Sequence, residues 1–240
     1  MRQRVRTVLR SGVAAVAAAC VLGLAAAPPA AAQQSFSFHV GGFSPRSEDA
    51  RVPDDILNDR LSFLAFNIKD FRSVSIGGEY LVGLGDKFEG GLGVGFQTRT
   101  VPTVYLDFVN ANGNEIEQDL RLRVVPFSAT VRFLPLGHHD AVTPYFGAGA
   151  GIFAFRYSEA GEFLATDSTI FRDSFSGSGT TTGPVILGGL RAPVGSWDLG
   201  FEVRYQNATG NLPVDFDRNF PGAKIDLGGF TYSFTANVKF

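Results

Sequence analysis

The sequence is poor in sulfur and histidine, with one cysteine, one methionine and three histidines in 240 residues. Cys20 lies in an alanine-rich N-terminal segment, so the chain beyond it has no thiol for a disulfide framework or a cysteine metal site. His39 falls on the polar side of the first strand-like segment, where a hydrogen-bonded interior histidine is the simpler reading. His138 and His139 share the turn "LGHHDA" with Asp140, and adjacent histidines on a turn rarely share one ion, so no metal is expected. The long connections contain no histidine, which leaves a Ser–His–acid site or a His–Asp protease site at that end without its base. "GAGIFA" (149–154) fits the dinucleotide pattern G-x-G-x-x-A, but "FRYSEAG" follows it and no helix does. The expectation is a protein without catalytic residues or cofactors, not an enzyme.

Long apolar runs are also missing. Beyond the N-terminal segment no stretch of eighteen apolar residues occurs, so no transmembrane helix is expected. Residues 1–32 are laid out as a secretory signal: "MRQRVRTVLR" carries four arginines, "SGVAAVAAACVLGLAAA" is apolar, and Ala30 and Ala32 set an Ala-x-Ala cleavage site. Ala17 before Cys20 and "VLGLAAA" after it do not fit lipid attachment. Four of the 21 Lys+Arg and none of the 23 acids lie in this leader. The remaining 33–240 then carry 17 bases against 23 acids, a net charge of −6, and nucleic acid is not an expected partner.

What is abundant is alternation. In "WDLGFEVRYQ", Trp197, Leu199, Phe201, Val203 and Tyr205 fall on one face against Asp198, Glu202, Arg204 and Gln206. Eight such segments occur, at roughly 34–44, 72–84, 87–100, 119–134, 143–157, 182–193, 197–207 and 226–240. In "LRLRVVPFSATVRF" the phase slips at Val124–Val125 beside Pro126, which suggests a β-bulge. In "YFGAGAGIFAFRY" the faces are ambiguous. Short connections ("GD", "PLGHHDAV", "VGS") alternate strictly with long polar ones. This is the rhythm of an up-and-down meander with turns at one end and long loops at the other.

An apolar face on every strand points either into a soluble, lipocalin-like barrel or out into lipid. Sparse mixed charge on the polar faces, aromatics near segment ends and an apolar final strand favour lipid. The signal peptide, the eight segments and the terminal "FTYSFTANVKF" resemble bacterial outer-membrane β-barrel proteins of the OmpA transmembrane-domain, OmpX and OmpW groups. The resemblance implies an all-β fold, an eight-stranded antiparallel up-and-down transmembrane barrel in the outer membrane of a Gram-negative-type bacterium. It further implies outer-membrane lipids as surroundings and both ends of the barrel facing the periplasm. Phe230, Tyr232, Phe234, Val238 and Phe240 resemble the C-terminal signal that the barrel-assembly machinery reads. No peptidoglycan-binding domain is expected after the barrel.

Among the charges that could face the lumen, Glu79, Glu89, Arg99, Arg123, Arg191, Glu202 and Arg204 are the expected polar network, with Arg121, Arg132 and Arg156 as further candidates. Eight strands leave an interior that side chains fill, so a plug of paired charges is expected and not a pore. Residues 56–71, "ILNDRLSFLAFNIKDF", are either a short amphipathic helix, on the membrane or over the barrel mouth, or an extension of the second strand. The functional expectation is a structural or surface-interaction role through long extracellular loops. The alternative is an OmpW-like conduit for small hydrophobic molecules, and an outer-leaflet lipid-modifying enzyme is a third class without support in the residues.

Overall fold

A computed structural model describes residues 34–137, 141–165, 167–213 and 224–240. The leader 1–32 and the turn residues His138, His139 and Asp140 lie outside the described residues. The strands are β1 (Gln34–Pro45), β2 (Ser73–Gly83), β3 (Phe88–Val109), β4 (Glu115–Phe133), β5 (Thr143–Leu164), β6 (Ile170–Val194), β7 (Trp197–Gln206), β8 (Thr209–Asn211), β9 (Lys224–Asp226) and β10 (Gly229–Lys239). Eight of them close an antiparallel barrel in the order β1-β10-β7-β6-β5-β4-β3-β2, and β8 and β9 form a separate two-stranded ribbon. Closure runs β10 against β1 from Ser35 opposite Lys239 to Pro45 opposite Gly229. No edge strand of the barrel remains unpaired, as a barrel in hydrocarbon requires.

The strands differ greatly in length. β1, β2, β7 and β10 have 10–12 residues, about what a tilted crossing of the hydrocarbon needs. β5 has 22 residues and β6 has 25, and at about 3.3 Å per residue β6 is roughly 80 Å long. The stretches expected as long loops after β3 and β5 are therefore mostly strand. Near their tips the Asn110 N–H donates to the Asn114 carbonyl (2.7 Å) and the Ala165 N–H to the Thr169 carbonyl (2.8 Å). Period-two alternation continues through both, in "VYLDFV" and "FRYSEAGEFL".

The expected bulge at Val124–Val125 is absent. β4 pairs with β5 in one unbroken register from Gln118 opposite Gly161 to Phe133 opposite Phe146. What changes there is the environment and not the pleat. Toward the turn end, Val125, Phe127, Ala129, Val131 and Phe133 point outward, and Ser128, Thr130 and Arg132 point in. Toward the loop end, Glu117, Asp119, Arg121 and Arg123 are exposed outside, and Ile116, Leu120 and Val124 are buried inside. The same inversion occurs on β5, where Ile152 and Ala154 precede outward Arg156, and inward Phe153 and Phe155 precede Tyr157.

The barrel thus has two storeys. The lower one wears an apolar belt, with Phe38 at 53 %, Leu199 at 49 % and Phe234 at 69 % exposure, around a polar interior. An exposed apolar ring of this extent belongs in hydrocarbon. Aromatics mark its borders. Phe88, Phe133 and Phe146 form a row across β3, β4 and β5 near the turn end, joined by Trp197, while Tyr205 and Phe230 stand toward the loop end with ring centroids 4.9 Å apart. The upper storey reverses this on β4 and β5, with charge outside and an apolar interior, although Leu106, Phe108 and Val109 of β3 and Phe171 of β6 are exposed at its tips.

Only β3 to β6 rise through the upper storey, so its wall is open on one side, and the chain fills the gap. Residues 63–65 run along the free edge of β3, with Ala65 N–H donating to Val104 (2.9 Å) and Leu106 N–H to Phe63 (3.0 Å). On the other flank the Thr181 hydroxyl donates to the Thr209 carbonyl (2.7 Å), tying β8 to β6. Segment 56–71 resolves into helix α1 (Ile56–Arg60) and a 3-10 turn at Ile68–Phe71, both over the barrel mouth and neither part of β2.

Candidate functional site

Charge, burial and geometry converge in the lumen, which is closed at two levels. In the lower storey the Arg132 guanidinium bridges Glu79 and Glu202, the latter at 2.9 Å. Arg204 bridges the same two carboxylates at 3.0 Å each. Thr130 donates to Glu79 (2.9 Å), Tyr145 to Glu202 (3.1 Å) and Arg204 to the Ser128 hydroxyl (3.1 Å). Closer to the turn end, Arg191 makes a two-pronged contact with Glu89. Three carboxylates and three guanidiniums balance, and both Arg132 and Arg191 lie over the Tyr145 ring, at 4.9 and 5.8 Å. Buried ions tolerate this setting because each finds a partner across the barrel. Gly91 makes room: a Cβ there would stand 2.4 Å from Glu79 Oε1.

The seven residues expected to form the network do not all meet. Glu79, Glu202 and Arg204 come together, and Glu89 and Arg191 pair with each other. Arg99 is instead exposed and donates to the Asp70 carbonyl (2.8 Å), holding the 3-10 turn over the mouth. Arg123 stands on the outer face above the apolar belt. Arg132, only a further candidate in the sequence, is central. His39 lines the interior with Ser75, Gln97 and Ser128 around a cavity of about 30 Å³, room for about one water. Among the described residues, no group of three or more His, Cys, Asp or Glu side chains could hold a metal.

The upper closure is apolar. Ile56 and Leu57 of α1, with Leu64, Ile68 and Phe71, pack on Val101, Leu120, Val124, Phe153, Phe155 and Val185 of the wall and on Leu212, Ile225 and Leu227 beside the ribbon. Their position is fixed from above by Asp55, which caps α1 through the Asn58 amide and also accepts from Arg51 (2.6 Å) and from the Asp226 amide (2.6 Å). Arg51 in turn donates to the Asp226 carbonyl (2.8 Å), so the first connection and β9 are locked together.

Within this apolar packing sits one ion pair that the alternation of β5 could have disclosed. Arg60 of α1, fully buried, donates to Glu159 (2.7 Å), which also accepts from the Tyr157 hydroxyl (2.9 Å). It went unseen because 158–181 was expected to be loop. Burial holds the Glu159 carboxyl above its ordinary value, with Arg60 and the two hydrogen bonds opposing. A group raised on folding lends stability below its unfolded value, 4.5, and that stability is lost as pH rises through the folded value. Hydrogen exchange at the Leu61 amide, which donates to Leu57, should therefore quicken as pH rises from about 4.5 once intrinsic rates are removed. In Glu159→Gln the extra slope should vanish, and an identical slope in both proteins would refute the assignment.

No protein-family model and no curated protein sequence matches this chain. Among solved structures it is similar to the outer membrane protein OprG from Pseudomonas aeruginosa, at 13% identity and a TM-score of 0.53, over 88% of this chain and 96% of that one. Neisserial surface protein A matches at 14% identity with a TM-score of 0.43, over 87% of this chain and 96% of that one. The N-terminal β-barrel domain of OprF from Pseudomonas aeruginosa matches at 13% and 0.40, over 87% and 99%. At these identities the likeness to OprG is one of fold, and it agrees with the belt and the closed eight-stranded ring: the architecture is that of an outer-membrane β-barrel.

Proposed function

We propose that this outer-membrane barrel is a closed envelope protein that presents a rigid head to the outside and conducts nothing. The carrying observation is the double closure of the lumen, by paired charges below and by an apolar core above. In this reading the leader is removed after Ala32, the turn end faces the periplasm, and the outward row Phe230, Tyr232, Phe234, Val238 and Phe240 serves the assembly machinery. The surface role then belongs to the head, built from the β3–β4 and β5–β6 hairpins with the first connection and the ribbon packed against them. Planar-bilayer recording and liposome swelling of the full barrel test it. No conductance above the lipid background is expected, and solute-dependent swelling would overturn the reading.

A second reading, a conduit for small hydrophobic molecules, draws support from one feature. The upper lumen is lined by Phe153, Phe155 and Val185, and the apolar side chains that fill it come from connections between strands and not from the wall itself. That reading requires residues 56–71 to withdraw, and it predicts uptake of an apolar probe by vesicles that hold the intact protein.

A further inference from the structure

Three arginines face outward at the boundary between the two storeys. Arg123 of β4 is the direct partner of Arg156 of β5, and Arg121 lies two residues further along β4 on the same face, all exposed. Side chains so placed are about 5 Å apart when opposite and about 7–8 Å apart on the diagonal. Among the described residues none of the three has a carboxylate within ion-pair distance, and Arg156 only donates to the Ser176 hydroxyl, at 3.1 Å. Their neighbours across the flanking strands are hydroxyls, Thr98 beside Arg123 and Ser178 beside Arg156. Like charges directly opposite on a sheet destabilise it. Uncompensated, the cluster is a liability.

Its height explains it. The next outward residues toward the turn end are Val125 below Arg123 and Ala154 below Arg156, the last members of the apolar belt. The cluster therefore sits where hydrocarbon gives way to headgroups, on a chain whose net charge is otherwise negative. We propose that Arg121, Arg123 and Arg156 form a docking site for the phosphate-bearing headgroup of a lipid in the leaflet at the loop end. Guanidinium forks suit phosphate oxygens, the hydroxyls around them add donors, and the first acid on this face, Asp119, stands one outward position beyond Arg121 on the side away from the belt.

The test uses the full barrel folded in zwitterionic detergent, with native mass spectrometry of retained lipid. The probes are bisphosphorylated lipid A, its dephosphorylated form and inorganic phosphate. The native protein should retain the phosphorylated lipid selectively. R121Q/R123Q/R156Q should retain it about 100-fold less, each of the three cations near an anionic surface contributing roughly a factor of five. Heat-modifiable mobility reports folding, and Arg123→Lys with Arg156→Lys should keep most of the retention. Equal retention by the triple variant, or of the dephosphorylated lipid, would overturn the proposal, as would displacement by inorganic phosphate at matched concentration. If the triple variant does not fold, Arg156→Gln serves: the rise in melting temperature on adding the phosphorylated lipid should shrink, and an undiminished rise refutes the site.

Discussion

Arg132→Met should destabilise the barrel by about 3–5 kcal/mol, because it removes one partner of a buried, hydrogen-bonded charge set. Arg132 joins Glu79 on β2 to Glu202 on β7, so its loss leaves two carboxylates in the lumen with only Arg204 between them. Methionine keeps much of the volume, which confines the effect to charge. Urea-induced unfolding from zwitterionic vesicles, followed by tryptophan emission of Trp197, measures it. Arg172→Met is the matched control: its side chain is 76 % exposed in the upper storey, its one ion pair, with Glu162 at 3.4 Å, is a surface contact, and it should stay within about 1 kcal/mol in the same vesicles. Equal losses at the two positions would mean that the paired charges do not hold the lower lumen together.

Leu57→Asp should release the cover of the upper storey while the lower barrel stays folded. Leu57 is fully buried in the apolar cluster, where truncation of a leucine alone costs about 2–5 kcal/mol and an unpaired carboxylate adds to that. Arg60, on the same turn of helix and fully buried, supplies the readout. Trypsin should cut after Arg60 in the variant and leave that bond intact in the native protein under the same conditions. Retained heat-modifiable mobility distinguishes an undocked cover from a collapsed barrel. An uncut Arg60 in the variant would show that docking does not depend on this apolar anchor.

The sequence made the lower storey legible because there both faces obey a single rule over ten residues, as in "WDLGFEVRYQ". The upper storey obeys the opposite rule. "DLRLRV" alternates as cleanly as "VPFSATVRF", but with charge outside and leucine inside, and the meeting of the two looked like a slipped register. One strand crossing two solvents produces the same signature as a bulge. The extended hairpins were missed for a related reason: Ser158, Glu159, Asp173 and Ser174 resemble loop residues, although in a strand outside the membrane they are ordinary. Within the candidate site, glutamates and arginines were visible as types, but their partners were not. Arg99 and Arg132 have similar sequence surroundings, and only the height of each on its strand separates a surface clasp from a central bridge.

Strands β1 and β10 carry Ser35, Ser37, Gly41, Thr231, Ser233 and Asn237 where their neighbours carry the ionic staples, and the crossed pairs link β2, β3, β4, β6 and β7 instead. The junction of first and final strand is therefore stitched chiefly by backbone hydrogen bonds. The staples are cross-braces and not seams: they span the lumen between strands that are not neighbours, so they hold the cylinder round while the joint of first and final strand holds by its ladder.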